Sequence, residues 1–225
     1  MSEHRPRAVT PPELRGRGTG IVVCAIFAAL WTNWAAPMLS ESALCKWSAA
    51  LAVAVLSGTL LFAGVATIRE GRRLSRATAT REAGPRGMRR QFVVVLAWEI
   101  LALNVAAYLL IGHHMVQYLA PAVALVVGLH FLPLAKIFRA PHYYATATAM
   151  TLAGIAAAMA IATGNAAVTT DGILDLACAI ALWGTGFVSW SRVHKDLARN
   201  RTVIAVADPA HRGPRLPRRH IPSGD

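Results

Sequence analysis

Six long apolar runs separated by short polar breaks dominate the pattern of this chain. They fall at residues 20–39, 47–68, 92–112, 115–135, 143–164 and 172–190. Each is close to the ~20 residues a helix needs to cross a hydrocarbon core about 30 Å thick. Helix is the state that fits, because open strands in lipid leave backbone groups unsatisfied and a membrane β-barrel has shorter, alternating segments. Six such runs leave no amphipathic helices to cover them, which argues against a soluble core. The first run is too long for the apolar part of a signal peptide, and no small-x-small cleavage site follows it, so it reads as a retained span. The pattern predicts an all-α polytopic membrane protein, a bundle of six transmembrane helices within residues 20–192.

Charge orients that bundle. Hydrophobic residues make up 55% of the 225 and charged ones 15%, yet the net charge is +12. A soluble nucleic-acid binder of that charge carries far more polar surface, so nucleic acid is not an expected partner. Arg5, Arg7, Arg15 and Arg17 precede the first span, and eight arginines occupy the loop at 69–91. Lys136 and Arg139 follow the fourth span, and eight more basic residues follow the sixth. In a six-span layout 22 of the 23 basic residues share one side, with Lys46 on the other. The positive-inside rule then puts both termini in the cytoplasm. An excess of arginine (20) over lysine (3), with abundant alanine, points to a GC-rich bacterial genome, so the expected location is a bacterial cytoplasmic membrane. The outer connections, at 40–46, 113–114 and 165–171, are too short for an external domain.

Residues 1–19 and 193–225 read as basic cytoplasmic tails, disordered where Pro, Arg and Gly mix. The second helix is expected to run to Glu82 before Gly84-Pro85 breaks it, and the sixth to Arg199. Such stretches suit anionic lipid headgroups, at about 1 kcal/mol per basic residue near the surface. Topology signalling alone accounts for the same charges.

Small residues recur every four positions in the fifth span (Ala145, Ala149, Ala153, Ala157) and the sixth (Ala177, Ala181, Thr185, Ser189). Such stripes let helices approach closely, which predicts a tight hairpin of these two spans or a homo-oligomer face. Trp31, Trp34, Trp47, Trp183 and Trp190 lie toward span ends and read as an interfacial aromatic belt. Pro121 is the proline expected to open a local gap.

Ionisable groups inside spans are costly and are the first place to look for function. Glu99 lies seven residues past Phe92 and His130 five before Ala135, hence about 10 and 7 Å from the cytoplasmic ends of adjacent antiparallel spans. At similar depth they can pair, as a proton relay or cation-binding element; a plain helix-to-helix hydrogen bond is the commoner use of such groups. Asn33 and Asn104 lie toward the outside and are expected to form a second interhelical bond. Asp171, Asp175, His113 and His114 gather near the outer face, where adjacent histidines in a turn are a weak metal signal and solvated interface residues the alternative. Three cysteines imply no disulfide framework.

Catalytic signatures are missing: there is no H-E-x-x-H, G-x-S-x-G, phosphate-cradling glycine loop or C-x-x-C. No enzyme and no cofactor is expected. The segment Gly128-Leu129-His130-Phe131-Leu132-Pro133-Leu134-Ala135, with Phe138 and Tyr143-Tyr144 after it, resembles a signature of small uncharacterised bacterial multi-span membrane proteins. The resemblance covers about 17 residues. It implies a compact helical bundle, implies no established activity, and singles out His130 as the segment's ionisable residue. Two functions remain open: a small-solute or proton-linked carrier or channel using Glu99, His130 and Asn104, and a structural or accessory protein whose basic cytoplasmic face binds anionic lipid or a partner subunit.

Overall fold

The computed structural model describes residues 10–39, 42–77, 86–138 and 140–207. Helix α1 is Pro11–Leu39; α2 (Ala43–Ala52) runs through a π-helical turn, Val53–Ser57, into α3 (Gly58–Ala77). Then come α4 (Arg86–Gly112), α5 (Leu119–Ile137), α6 (His142–Ala162) and α7 (Ala167–Ala207). With α2 and α3 continuous, six helices among the described residues are long and apolar enough to cross a membrane, and each contains most of one apolar run. The fold is all-α and compatible with an integral membrane protein.

Basic segments that read as tails or loop are helical where the structure describes them. Helix α1 starts at Pro11 rather than near residue 20. The reason is local: Glu13 Oε2 accepts the Thr10 backbone N–H at 3.1 Å, one half of a capping box, and Pro11 has the fixed φ suited to a first helical position. Helix α3 reaches Ala77, supported by the packing of Gly71 on Arg15 and Pro11 of α1. Helix α4 begins at Arg86, immediately after Pro85, so most of 69–91 is helix rather than loop. The expected break at Gly84-Pro85 lies outside the described residues. Helix α7 continues past Arg199 to Ala207, through the start of the expected 193–225 tail.

Helix α1 is the centre of the bundle, with α3 on one flank and α7 on the other, both antiparallel to it. Helices α5 and α6 form a second antiparallel pair that joins α7 through α6, and α4 packs on α5 at the edge. No residue from Arg90 to Gly112 is buried. The core between these layers holds Ile21, Ala25, Ala28 and Trp31 of α1, Phe131 of α5, Met150 of α6 and Leu182 and Trp183 of α7.

Glycine decides how near the helices come. A Cβ on Gly64 would lie 2.6 Å from Val22 Cγ2 and 2.9 Å from the Gly18 carbonyl, so α1 and α3 meet backbone to backbone. In α5, a Cβ on Gly128 would lie 2.7 Å from Thr151 Oγ1 and 2.9 Å from the Thr151 nitrogen. The closest seam of α6 is thus with α5, and the expected α6–α7 hairpin is a looser, more polar contact. Ala145 and Ala149 face outward, so the stripe divides between an exposed and a packed part.

Three residues behave differently from their sequence reading. Trp31 (2% exposed) and Trp183 (7%) are core residues, whereas Trp34 and Trp47 remain on the outside. Pro121 sits in the first turn of α5, fully buried with its carbonyl against Gly154, and opens no gap there; a first-turn proline has no intrahelical bond to lose.

Gly64→Ala is expected to destabilise the detergent-solubilised protein by about 1–3 kcal/mol through overpacking. Gly58→Ala meets open space and is expected to be neutral or to stabilise by about 0.5–1 kcal/mol. Thermal unfolding followed by ellipticity separates the two, and equal midpoints would contradict the close approach.

Candidate functional site

Short α4–α5 connection and antiparallel packing bring Glu99 and His130 to one level, as their spacing predicts. Glu99 Oε2 lies 3.3 Å from His130 Nδ1, with the side chains 15% and 11% exposed respectively. The separation is within ion-pair range, while the ring nitrogen is not aligned to make a hydrogen bond. The pair joins the edge helix to the rest of the bundle.

The other sequence candidates do not assemble. Asn104 donates to the Ile100 carbonyl of its own helix at 2.7 Å, and Asn33 is exposed on α1, so the expected bond between them is absent. Its physical reason is packing: α4 lies on α5, away from α1. Asp171 and Asp175 share a face of α7, with Asp175 2% exposed, whereas His113 and His114 are exposed at the α4–α5 turn. Among the described residues no three metal-ligating side chains converge.

Polar contacts that sequence reasoning missed fasten the helices together. Trp183 Nε1 donates to Ser57 Oγ at 2.9 Å, both buried, and Ser57 closes the π-helical turn that presents it. On the α6–α7 seam the Thr146 and Thr185 hydroxyls hydrogen-bond, and one turn along His142 Nε2 and Ser189 Oγ are 2.8 Å apart. His142 and Thr146 are four residues apart on α6, as are Thr185 and Ser189 on α7, so the contacts form an antiparallel ladder. The signal was present in the small-residue stripe, whose last two members carry hydroxyls.

Beyond that ladder, the bundle opens into a cavity of about 320 Å³ between α1, the α5–α6 turn, α6 and α7. Arg17 of α1 and Arg192, Lys195 and Arg199 of α7 line it. The three α7 cations share one helical face by their spacing. Asp196 also lines the cavity and is held by Arg17, whose Nη1 donates to Asp196 Oδ2 at 2.5 Å. Among the described residues, no carboxylate lies within ion-pair distance of Arg192, Lys195 or Arg199. Phe138 and Tyr143, in edge contact at 6.3 Å, supply an apolar part of the wall. His142 reaches the cavity with Nδ1 buried and unpartnered. Its helix begins there, so the positive end of the α6 dipole adds to the field, although the first-turn amides of Tyr143 and Tyr144 bond back to Ala140 and Pro141.

Comparison of the chain with protein-family models, curated proteins and solved structures finds no match.

A double-mutant cycle on Ser57→Ala and Trp183→Phe is expected to give a coupling of about 0.6–1.7 kcal/mol, the range for polar contacts between membrane helices. Additive losses in unfolding free energy would mean that the 2.9 Å contact contributes no interaction energy of its own.

Proposed function

We propose that this protein is a non-catalytic structural or accessory protein of a bacterial cytoplasmic membrane, with both termini in the cytoplasm and a basic cytoplasmic face that engages anionic lipid. One observation carries the reading: eight polar side chains of the apolar spans meet in four contacts between helices. Glu99 and His130 tie α4 to α5, Ser57 and Trp183 tie the π-helical turn before α3 to α7, and Thr146, Thr185, His142 and Ser189 tie α6 to α7. Groups used in this way are helix glue, worth about 0.6 kcal/mol per contact on average. Orientation rests on the charge asymmetry. Arg15, Arg17, Arg72, Arg73, Arg192, Lys195 and Arg199 lie at the end of the bundle where α1 begins and α7 leaves the core. A cytoplasmic leaflet carrying anionic lipid attracts such an end.

The resemblance around Gly128 fits the same reading, since that glycine permits the close α5–α6 seam. The exposed Ala145 and Ala149 suit a homo-oligomer face. A second reading, the proton-linked carrier, is favoured by the meeting of Glu99 and His130 at 3.3 Å.

Proteoliposomes distinguish the two. In the accessory reading, Glu99→Gln with His130→Ala leaves proton and cation flux at the background of empty vesicles. The same change loosens α4, by about 0.6–1.7 kcal/mol of docking energy, seen as faster cleavage by protease between α3 and α4. Flux above background in the wild type that disappears in the double variant would overturn the accessory reading in favour of the carrier.

A further inference from the structure

We propose that the cavity between α1, α6 and α7 is a binding site for a phosphate monoester group, presented by an anionic lipid or as free phosphate. The inference rests on the cytoplasmic placement of the basic end proposed above, and it names a ligand for that end.

Charge and shape support it together. Exposed basic residues scattered on a surface need no ligand, because water and counterions solvate them. Here four cations face one concavity whose single carboxylate, Asp196, is already committed to Arg17. Arg192, Lys195 and Arg199 repel one another along one face of α7, and an anion in the cavity relieves that repulsion. A monoester carries about −1.5 to −2 at neutral pH and has three oxygens to accept hydrogen bonds. Arginine guanidinium groups meet such oxygens two at a time, and lysine adds a point charge. A phosphodiester, with a single charge and two free oxygens, uses less of this array.

The uncharged parts fit the same group. His142 Nδ1 is buried without a partner, while its Nε2 is positioned by Ser189. At about 320 Å³ the volume is at the low end of small-molecule sites, roughly 300–1,000 Å³. A phosphate with a short organic stem fits that volume, and Phe138 and Tyr143 offer the stem an apolar wall. Where the cavity adjoins the apolar span of α6, a lipid headgroup can enter while its chains stay outside the bundle.

Asp196 makes the proposal testable by a gain as well as a loss. It neutralises Arg17, so removing it both frees a guanidinium and deletes the carboxylate that repels the ligand.

The full chain is reconstituted in phosphatidylcholine nanodiscs. Binding is measured with inorganic phosphate in solution, and with nanodiscs doped with phosphatidic acid (a monoester) or phosphatidylglycerol (a diester). Wild type is expected to bind phosphate saturably, or to retain phosphatidic acid over phosphatidylglycerol; the first result assigns a soluble ligand and the second a lipid. Arg192→Gln with Lys195→Gln is expected to weaken that binding at least about tenfold. Arg72→Gln with Arg73→Gln, an equal charge removal on exposed positions of α3, is expected to leave it within about twofold, a difference of only a few tenths of a kcal/mol. Asp196→Asn is expected to strengthen it several-fold, an effect that misfolding does not produce. Equal losses in the two arginine-containing double variants, or an Asp196→Asn change that weakens binding, would overturn the site while leaving a diffusely lipid-binding basic face intact. Retention of neither anionic lipid by the wild type, with no phosphate binding, would overturn both the site and the lipid part of the proposed function.

Discussion

Lipid tails are as apolar as the side chains they surround, so burying leucine against leucine does little to hold a membrane bundle together. What remains is close backbone contact and hydrogen bonding that water cannot replace. In this protein close backbone contact holds α1 on α3 and α5 on α6, and α7 takes most of the hydrogen bonds that cross between helices. Gly18 and Gly64 let α1 lie on α3 with no side chain between them, and α7 closes the other flank. Everything at the basic end follows from that arrangement. Because α1 and α7 stay packed beyond their most apolar stretches, Arg17 meets Asp196 and the α7 cations are presented in order around a cavity.

Four polar contacts within the spans fasten helix to helix. The ladder of Thr146 with Thr185 and His142 with Ser189 ties the two halves of the fold, and Trp183 with Ser57 ties α7 to the π-helical turn. The edge helix is the informative case. With no buried residue from Arg90 to Gly112, α4 sits at the edge with Phe92 and Val95 against the core, and Glu99 meets His130 of α5. A pair in that position has a structural task whether or not protons pass through it.

Much of the architecture was legible in the chain, since the six apolar runs are long and their periodicity needs no tertiary information. Glu99 and His130 were legible as well, because a short connection forces adjacent spans to be antiparallel and equal depth follows from counting. Other features depended on knowledge of neighbours. Trp31 and Trp183 looked interfacial by position, yet helix rotation turns both inward, which no single-span pattern reveals. Asn33 and Asn104 share a depth but sit on helices that are not neighbours. The start of α1 was readable in principle, as Thr10 and Glu13 have capping-box spacing, but the surrounding Pro, Arg and Gly masked it. The cavity was least legible of all. Its cations were counted as an orientation signal, and only the packing of α1, α6 and α7 turns a count into a shape.

In the proposed reading Glu99 and His130 fasten α4 to α5 and line no path for water or ions. Water proximity at the His130 ring tests it most directly, by magnetisation transfer from water to the labelled imidazole in reconstituted membranes. No transfer to His130 beyond that seen for buried Trp183 is expected, with clear transfer to the exposed His113 and His114. Strong transfer to His130 from bulk water, lost when either end of α5 is blocked, would contradict it.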